Sequence, residues 1–112
     1  MKVIAVFSIS VFFILFFSCN KNDTPKDENP PFIVLLGSNP IYSELGKPYN
    51  DPGAEAYDIT STGDTVDITS RLQVTDNVDI NTEGEYQVHY NVSDESGNRA
   101  DEKIRTVYVR IF

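Results

Sequence analysis

Apolar and polar positions divide the chain into an apolar N-terminal block and a longer patterned remainder. Fifteen of the first 19 residues are hydrophobic, against 30 of the following 93. The clearest pattern in the remainder is Gly84–Ser93, where Tyr86, Val88, Tyr90 and Val92 alternate with Glu85, Gln87, His89 and Asn91. This period of two predicts a strand with one buried and one wet face. Lys103–Ile111 repeats it with Val107, Val109 and Ile111 on one face, and Asp94-Glu-Ser-Gly97-Asn98 between the two supplies turn chemistry. Shorter strands are expected at Phe32–Leu36, Ile41–Ser43, Ala54–Ile59, Val66–Ile68 and Leu72–Val74, punctuated by Gly- and Pro-containing turns. No stretch repeats apolar residues at helical spacing. About seven short strands predict an all-β fold, an immunoglobulin-like antiparallel β-sandwich over residues 32–112.

The N-terminal block follows a different logic. Lys2 precedes an apolar run from Val3 to Phe17, too short for a spanning helix, which needs about 20 residues. Residues 1–18 therefore read as an export signal, with an uncleaved anchor helix as the alternative. The chain's single cysteine, Cys19, stands where the apolar run ends, so no intramolecular disulfide is available. Phe16-Phe17-Ser18-Cys19 resembles the lipobox of bacterial lipoproteins, although the two Phe depart from its usual aliphatic-then-small pattern. The resemblance implies cleavage before Cys19, a diacylglycerol on its thiol and acylation of the new amine, such as by palmitate. Two or three chains anchor firmly where one does so only marginally. Residues 20–31 (NKNDTPKDENPP) carry no apolar side chain except proline and are expected to form a disordered tether. Asn20 lacks the acidic character of an inner-membrane retention signal, and Lys21, Asp23, Asp27 and Glu28 resemble surface-export tags. The expected address is the outer membrane, facing outward.

Tyr86 follows a Gly84-containing bend at the start of the longest strand, where sandwiches place a tyrosine corner. Val88, two residues on, stands where antibody domains carry a cysteine. The chain here resembles the bacterial immunoglobulin-like domain repeated in some insecticidal crystal toxins and in many surface proteins and lipoproteins. The resemblance rests on Ile41 with Gly46-Lys-Pro-Tyr49-Asn-Asp51-Pro52-Gly53-Ala54-Glu-Ala56-Tyr-Asp58, on Gly84-Glu-Tyr86-Gln-Val88-His-Tyr90-Asn-Val92-Ser-Asp94-Glu-Ser-Gly97-Asn98, and on Arg105-Thr-Val107-Tyr-Val109. It implies a non-catalytic spacer or adhesive module, here in one copy.

Composition narrows the functional classes. The net charge is −8, with 9 Lys+Arg against 17 Asp+Glu and no basic cluster, which excludes a sequence-independent nucleic-acid binder. His89 is the only imidazole and is expected on an outward face without a nucleophilic partner, so no enzyme is expected. No cofactor is implied and no metal site is assigned. Asp58–Thr69 fails as an EF-hand because Thr69 replaces the bidentate Glu, while a looser calcium site would gather Asp76 and Asp79 with Asp94. Tyr42, Tyr57 and Tyr108 are candidate platforms for a polysaccharide, with half-burial of each as the plainer expectation. A surface protein partner is equally compatible, through strand addition at the edges of the first and last strands. Asp64-Thr65-Val66 resembles a bacterial O-glycosylation sequence, and Asn91-Val-Ser93 matches the eukaryotic N-glycosylation pattern by accident. The expected function is a lipid-anchored surface module that adheres or binds, with a glycan-binding accessory or a structural spacer as alternatives.

Overall fold

The computed structural model describes residues 26–112; the expected signal peptide, Cys19 and the first part of the tether lie outside the described residues. Seven strands follow in order: β1 (Phe32–Leu35), β2 (Ile41–Glu44), β3 (Ala54–Ile59), β4 (Thr65–Asp67), β5 (Gln73–Asp76), β6 (Gly84–Asn91) and β7 (Lys103–Arg110). They form two sheets, β1-β3-β4 and β2-β7-β6-β5. A 3-10 turn, Thr69–Arg71, links β4 to β5 and so carries the chain from one sheet to the other. Among the described residues no helix is long and apolar enough to cross a membrane.

The alternation along β6 does what its period requires. Val88 and Tyr90 are buried, while Glu85 and Gln87 are exposed. Across the sandwich they meet Ile33 of β1 and Ala56 of β3, with Val92, Val107 and Val109 completing the core. Fully burying side chains of this size contributes about 1.5–3 kcal/mol each.

Every strand pair is antiparallel except β2–β7, which runs parallel from Ile41↔Val107 to Glu44↔Arg110. Asn39 prepares this pairing: its amide donates to Ile104 O at 3.1 Å and its side-chain oxygen accepts from Thr106 N at 2.9 Å. A side chain thus supplies the ladder's first rungs where the chain leaves the β1 sheet. With β2 alongside it, β7 is an interior strand, so the expectation of an open edge there is corrected; β1, β4, β2 and β5 are the edges.

Two further expectations change. Ile111 is 68% exposed, because the pairing with β2 ends at Arg110 and nothing covers the residue beyond it; Arg105 instead takes the inward position at the other end of that face, fully buried. The tether is expected to remain unpacked to residue 31, yet Pro31 is buried, Asn29 Nδ2 donates to Thr60 O at 3.1 Å, and Asn98 Nδ2 donates to Asp27 O at 2.9 Å. The sandwich offers backbone and amide partners to this short polar stretch, and from Asp27 onward it docks.

Candidate functional site

Three places collect polar or aromatic side chains. The first is built on Tyr49-Asn-Asp51-Pro52-Gly53, just ahead of β3. Arg105 Nε lies 3.0 Å from Asp51 Oδ1, and the phenols of Tyr49 and Tyr90 both donate to the same carboxylate. Gly53 N donates to Asp51 Oδ2 at 2.9 Å. The Arg105 guanidinium also donates to Leu36 O at 2.7 Å, to Gly53 O at 2.9 Å and to Ser38 O. Burial alone would raise the Asp51 carboxyl, but the Tyr49 and Tyr90 hydroxyls, the Gly53 N–H and the Arg105 charge hold it below the ordinary carboxylate value. Burial and the bond to Asp51 push the Tyr49 phenol above its ordinary value. Gly37, at φ +73°, closes this cluster: a Cβ there would meet Pro52 at 2.8 Å. With its donors and acceptors mutually matched, the cluster is a structural clasp between the lead-in to β3 and the β6–β7 pair.

The second place is where the segment preceding β1, the end of β3 and the β6–β7 connection converge. Asp27, Asp58 and Asp94 each direct a carboxylate oxygen there, all within 4.8 Å of one another. Asp94 is held by Asn98, whose N–H reaches Oδ1 at 2.8 Å and whose amide reaches Oδ2 at 2.9 Å; Gly97, at φ +90°, makes this tight turn. Asp58 is 9% exposed, and its Oδ1 has no hydrogen-bond partner. Burial pushes the Asp58 carboxyl above its ordinary value, and the neighbouring charges of Asp94 and Asp27 act in the same direction. Burial would also raise Asp94, but the Asn98 side chain and backbone, with the Ser96 N–H, override it and hold that carboxyl low.

The third place is the outer face of the four-stranded sheet. Tyr42 of β2 and Tyr108 of β7 are register partners whose rings stack at 5.3 Å and 19°. The Arg110 guanidinium lies 5.2 Å from the Tyr42 ring centre and 4.9 Å from that of Tyr108. Tyr42 is 55% exposed, while Tyr108 is half-buried. On the same face His89 pairs with Glu102 at 3.3 Å. Tyr57 sits apart on the other sheet, its ring tilted against Phe32 at 5.6 Å and its hydroxyl donating to Glu55 at 2.9 Å. An open groove of about 370 Å³ lies elsewhere, lined by Arg71, Gln73, Asn91, Ser93 and Arg99 among others. Arg71 already donates there to the Ser93 carbonyl at 2.9 Å.

The pattern described as bacterial surface protein, Ig-like domain, matches residues 33–109. The chain belongs to this family. Among solved structures, it is similar to the crystal structure of the lipoprotein BT2262 from Bacteroides thetaiotaomicron, at 34% identity and a TM-score of 0.56. That similarity covers 70% of this chain and 37% of the lipoprotein, so the chain spans well under half of its length. None of the curated proteins matches the sequence.

Within this bacterial surface Ig-like domain, Tyr86 donates to Thr82 O at 2.7 Å, the backward bond that defines a tyrosine corner, and a Cβ at Gly84 would lie 3.4 Å from the Tyr86 hydroxyl. Asp76 and Asp79 do not join Asp94. Each caps its own turn, through Val78 N at 3.0 Å and Asn81 N at 2.9 Å. Thr65 is exposed on β4, and the Asn91 amide is committed to Glu102 at 2.8 Å. The sequence did not single out Arg105, and it offered Asp58 only as the first position of a calcium loop that fails. Arg105 and Asp58 share the inward parity of Val107 and Ala56, so a strict count along β7 and β3 would have marked both as buried charges that require partners. Asp27 gave no comparable signal.

Proposed function

We propose that this bacterial surface Ig-like domain is a non-enzymatic binding module, held at the outer membrane by lipid on Cys19. The observation that carries the binding reading is the Tyr42–Tyr108 stack with Arg110 beside it, exposed on the outer face of the four-stranded sheet. Aromatic rings and Arg are the side chains that most often anchor a partner surface. Neither ring is needed to fill the core, which leaves the pair available for contact. The likeness to a Bacteroides lipoprotein supports the anchor. Nothing in the Asp51 clasp offers a free nucleophile or an open acid–base pair, which favours binding over catalysis.

A polysaccharide is the second reading, favoured by the same stack because sugar faces lie flat on aromatic rings. The test has two arms. Comparing wild type with Cys19→Ser by fractionation and protease shaving of whole cells should show a lipid-sized mass and surface sensitivity only with Cys19. Capture of surface proteins and a broad glycan panel should then show binding that falls at least about tenfold in Tyr42→Ala and Tyr108→Ala variants that retain the fold. No binding in either screen leaves a structural spacer as the function.

A further inference from the structure

We propose that Asp27, Asp58 and Asp94 form a calcium site that fastens the segment preceding β1 to the sandwich. The three carboxylate oxygens lie within 4.8 Å of one another. Calcium holds its oxygens at about 2.3–2.6 Å, so two of its ligands are at most about 4.6–5.2 Å apart, and the three carboxylate oxygens fall within that span. The donor set is all oxygen, with no imidazole or thiolate, as a hard cation requires.

The second observation is the state of Asp58. It is nine-tenths buried, it lies among the other two carboxylates, and its Oδ1 accepts no hydrogen bond. A buried oxygen of a charged group without a partner is costly, and two further carboxylates beside it add repulsion. Among the described residues, no Lys, Arg or His forms an ion pair with any of the three. Arg71 reaches this loop but donates to the main-chain carbonyls of Ser93 and Asp94, not to carboxylates. The missing element is a positive charge.

The surroundings orient the donors. Asn98 fixes both Asp94 oxygens and also the Asp27 carbonyl, and Asn29 N donates to Asp27 Oδ1 at 3.0 Å. These bonds bring one ligand from the leading segment together with two from the sandwich. The cation therefore links the two parts, and its occupancy sets how firmly residues 26–31 are held. Waters complete the six to eight oxygens that calcium takes.

The test uses the full chain purified in detergent, titrated calorimetrically with calcium chloride and then with magnesium chloride. One calcium is expected to bind, with Kd of about 10⁻⁴–10⁻³ M, the range of extracellular modules. Calcium at about ten times that Kd should raise the melting temperature by about 5 °C or more. Asp58→Asn and Asp27→Asn should each weaken binding at least about tenfold, while Asp76→Asn, an acid outside the cluster, leaves it unchanged. Asp27 lies outside the core, so its variant keeps the measurement interpretable if Asp58→Asn misfolds. Tryptic cleavage after Lys26, followed by mass, should slow on adding calcium in wild type and not in Asp27→Asn. Absence of calcium binding, wild-type affinity in both the Asp58→Asn and Asp27→Asn variants, or a magnesium effect as large as that of calcium would each overturn the assignment.

Discussion

The clasp around Asp51 and the acidic cluster around Asp58 both bring carboxylates, partly buried in the first and mostly buried in the second, to the edge of the same core, and they are solved in opposite ways. Asp51 receives a guanidinium, two phenols and a backbone N–H. Asp58 receives two more carboxylates and leaves one oxygen unmatched. A buried charge that the chain itself neutralises is architecture, while one that it leaves unneutralised points outward, to something the chain binds. The contrast separates a residue conspicuous because it folds the protein from one conspicuous because it waits for a ligand.

Removing the cation from the matched cluster should break it most severely. Arg105→Met leaves the partly buried Asp51 without its charge partner and the Leu36, Ser38 and Gly53 carbonyls without their donor, and should cost about 3–5 kcal/mol, read as a fall in the urea midpoint at unchanged slope. A loss under about 1 kcal/mol would mean that the phenols and the Gly53 N–H suffice without it. Next is Gly37→Ala, which combines a positive φ with the Cβ contact to Pro52 at 2.8 Å; a loss of about 1–3 kcal/mol is expected by the same measurement.

The unmatched cluster should respond with the opposite sign. In EDTA, Asp58→Asn removes a repelling charge and should raise stability by about 1 kcal/mol, whereas Asp51→Asn lowers it. If both substitutions destabilise in EDTA, the two clusters are of one kind. Acid sharpens the distinction further. The folded Asp51 carboxyl is held below its unfolded value, so its contribution is present above about pH 4 and is lost as pH falls through the lower folded value. Wild type should therefore lose stability on acidification below about pH 4, and Asp51→Asn should lose less over the same interval. The smallest expected effect is that of Tyr49→Phe, about 1 kcal/mol, since Asp51 keeps its other partners.

Much of the fold was legible in the alternation of residues. Each of the seven strands lies within about two residues of its expected position, because β6 and β7 carry strict period-two patterns and the shorter strands are bounded by Gly and Pro. The Tyr49–Gly53 motif was visible, but its reason was not. That reason lies in Arg105, which reaches it from a strand more than fifty residues away in sequence. The parallel placement of β2 was hidden for a similar cause: it depends on the Asn39 side chain acting as a piece of strand. The acidic cluster was only half legible. Asp94 stood out as a turn residue, but its partners come from the strand β3 and from a segment whose composition reads as tether. Sequence patterns report periodicity and local turns well; they do not report which distant loops the topology brings to one end of a sandwich.

The parallel register of β2 on β7 also determines how the molecule bears load. A pull applied to the lead-in, as on a tethered surface protein, and resisted at the far end of β7 draws these two strands past each other lengthwise. Their rungs, from Ile41↔Val107 to Glu44↔Arg110, then resist together in shear instead of opening singly like a zipper. The stacked rings of Tyr42 and Tyr108 straddle that same seam. A partner held on this face would therefore pull on a seam where tension is shared among several rungs at once.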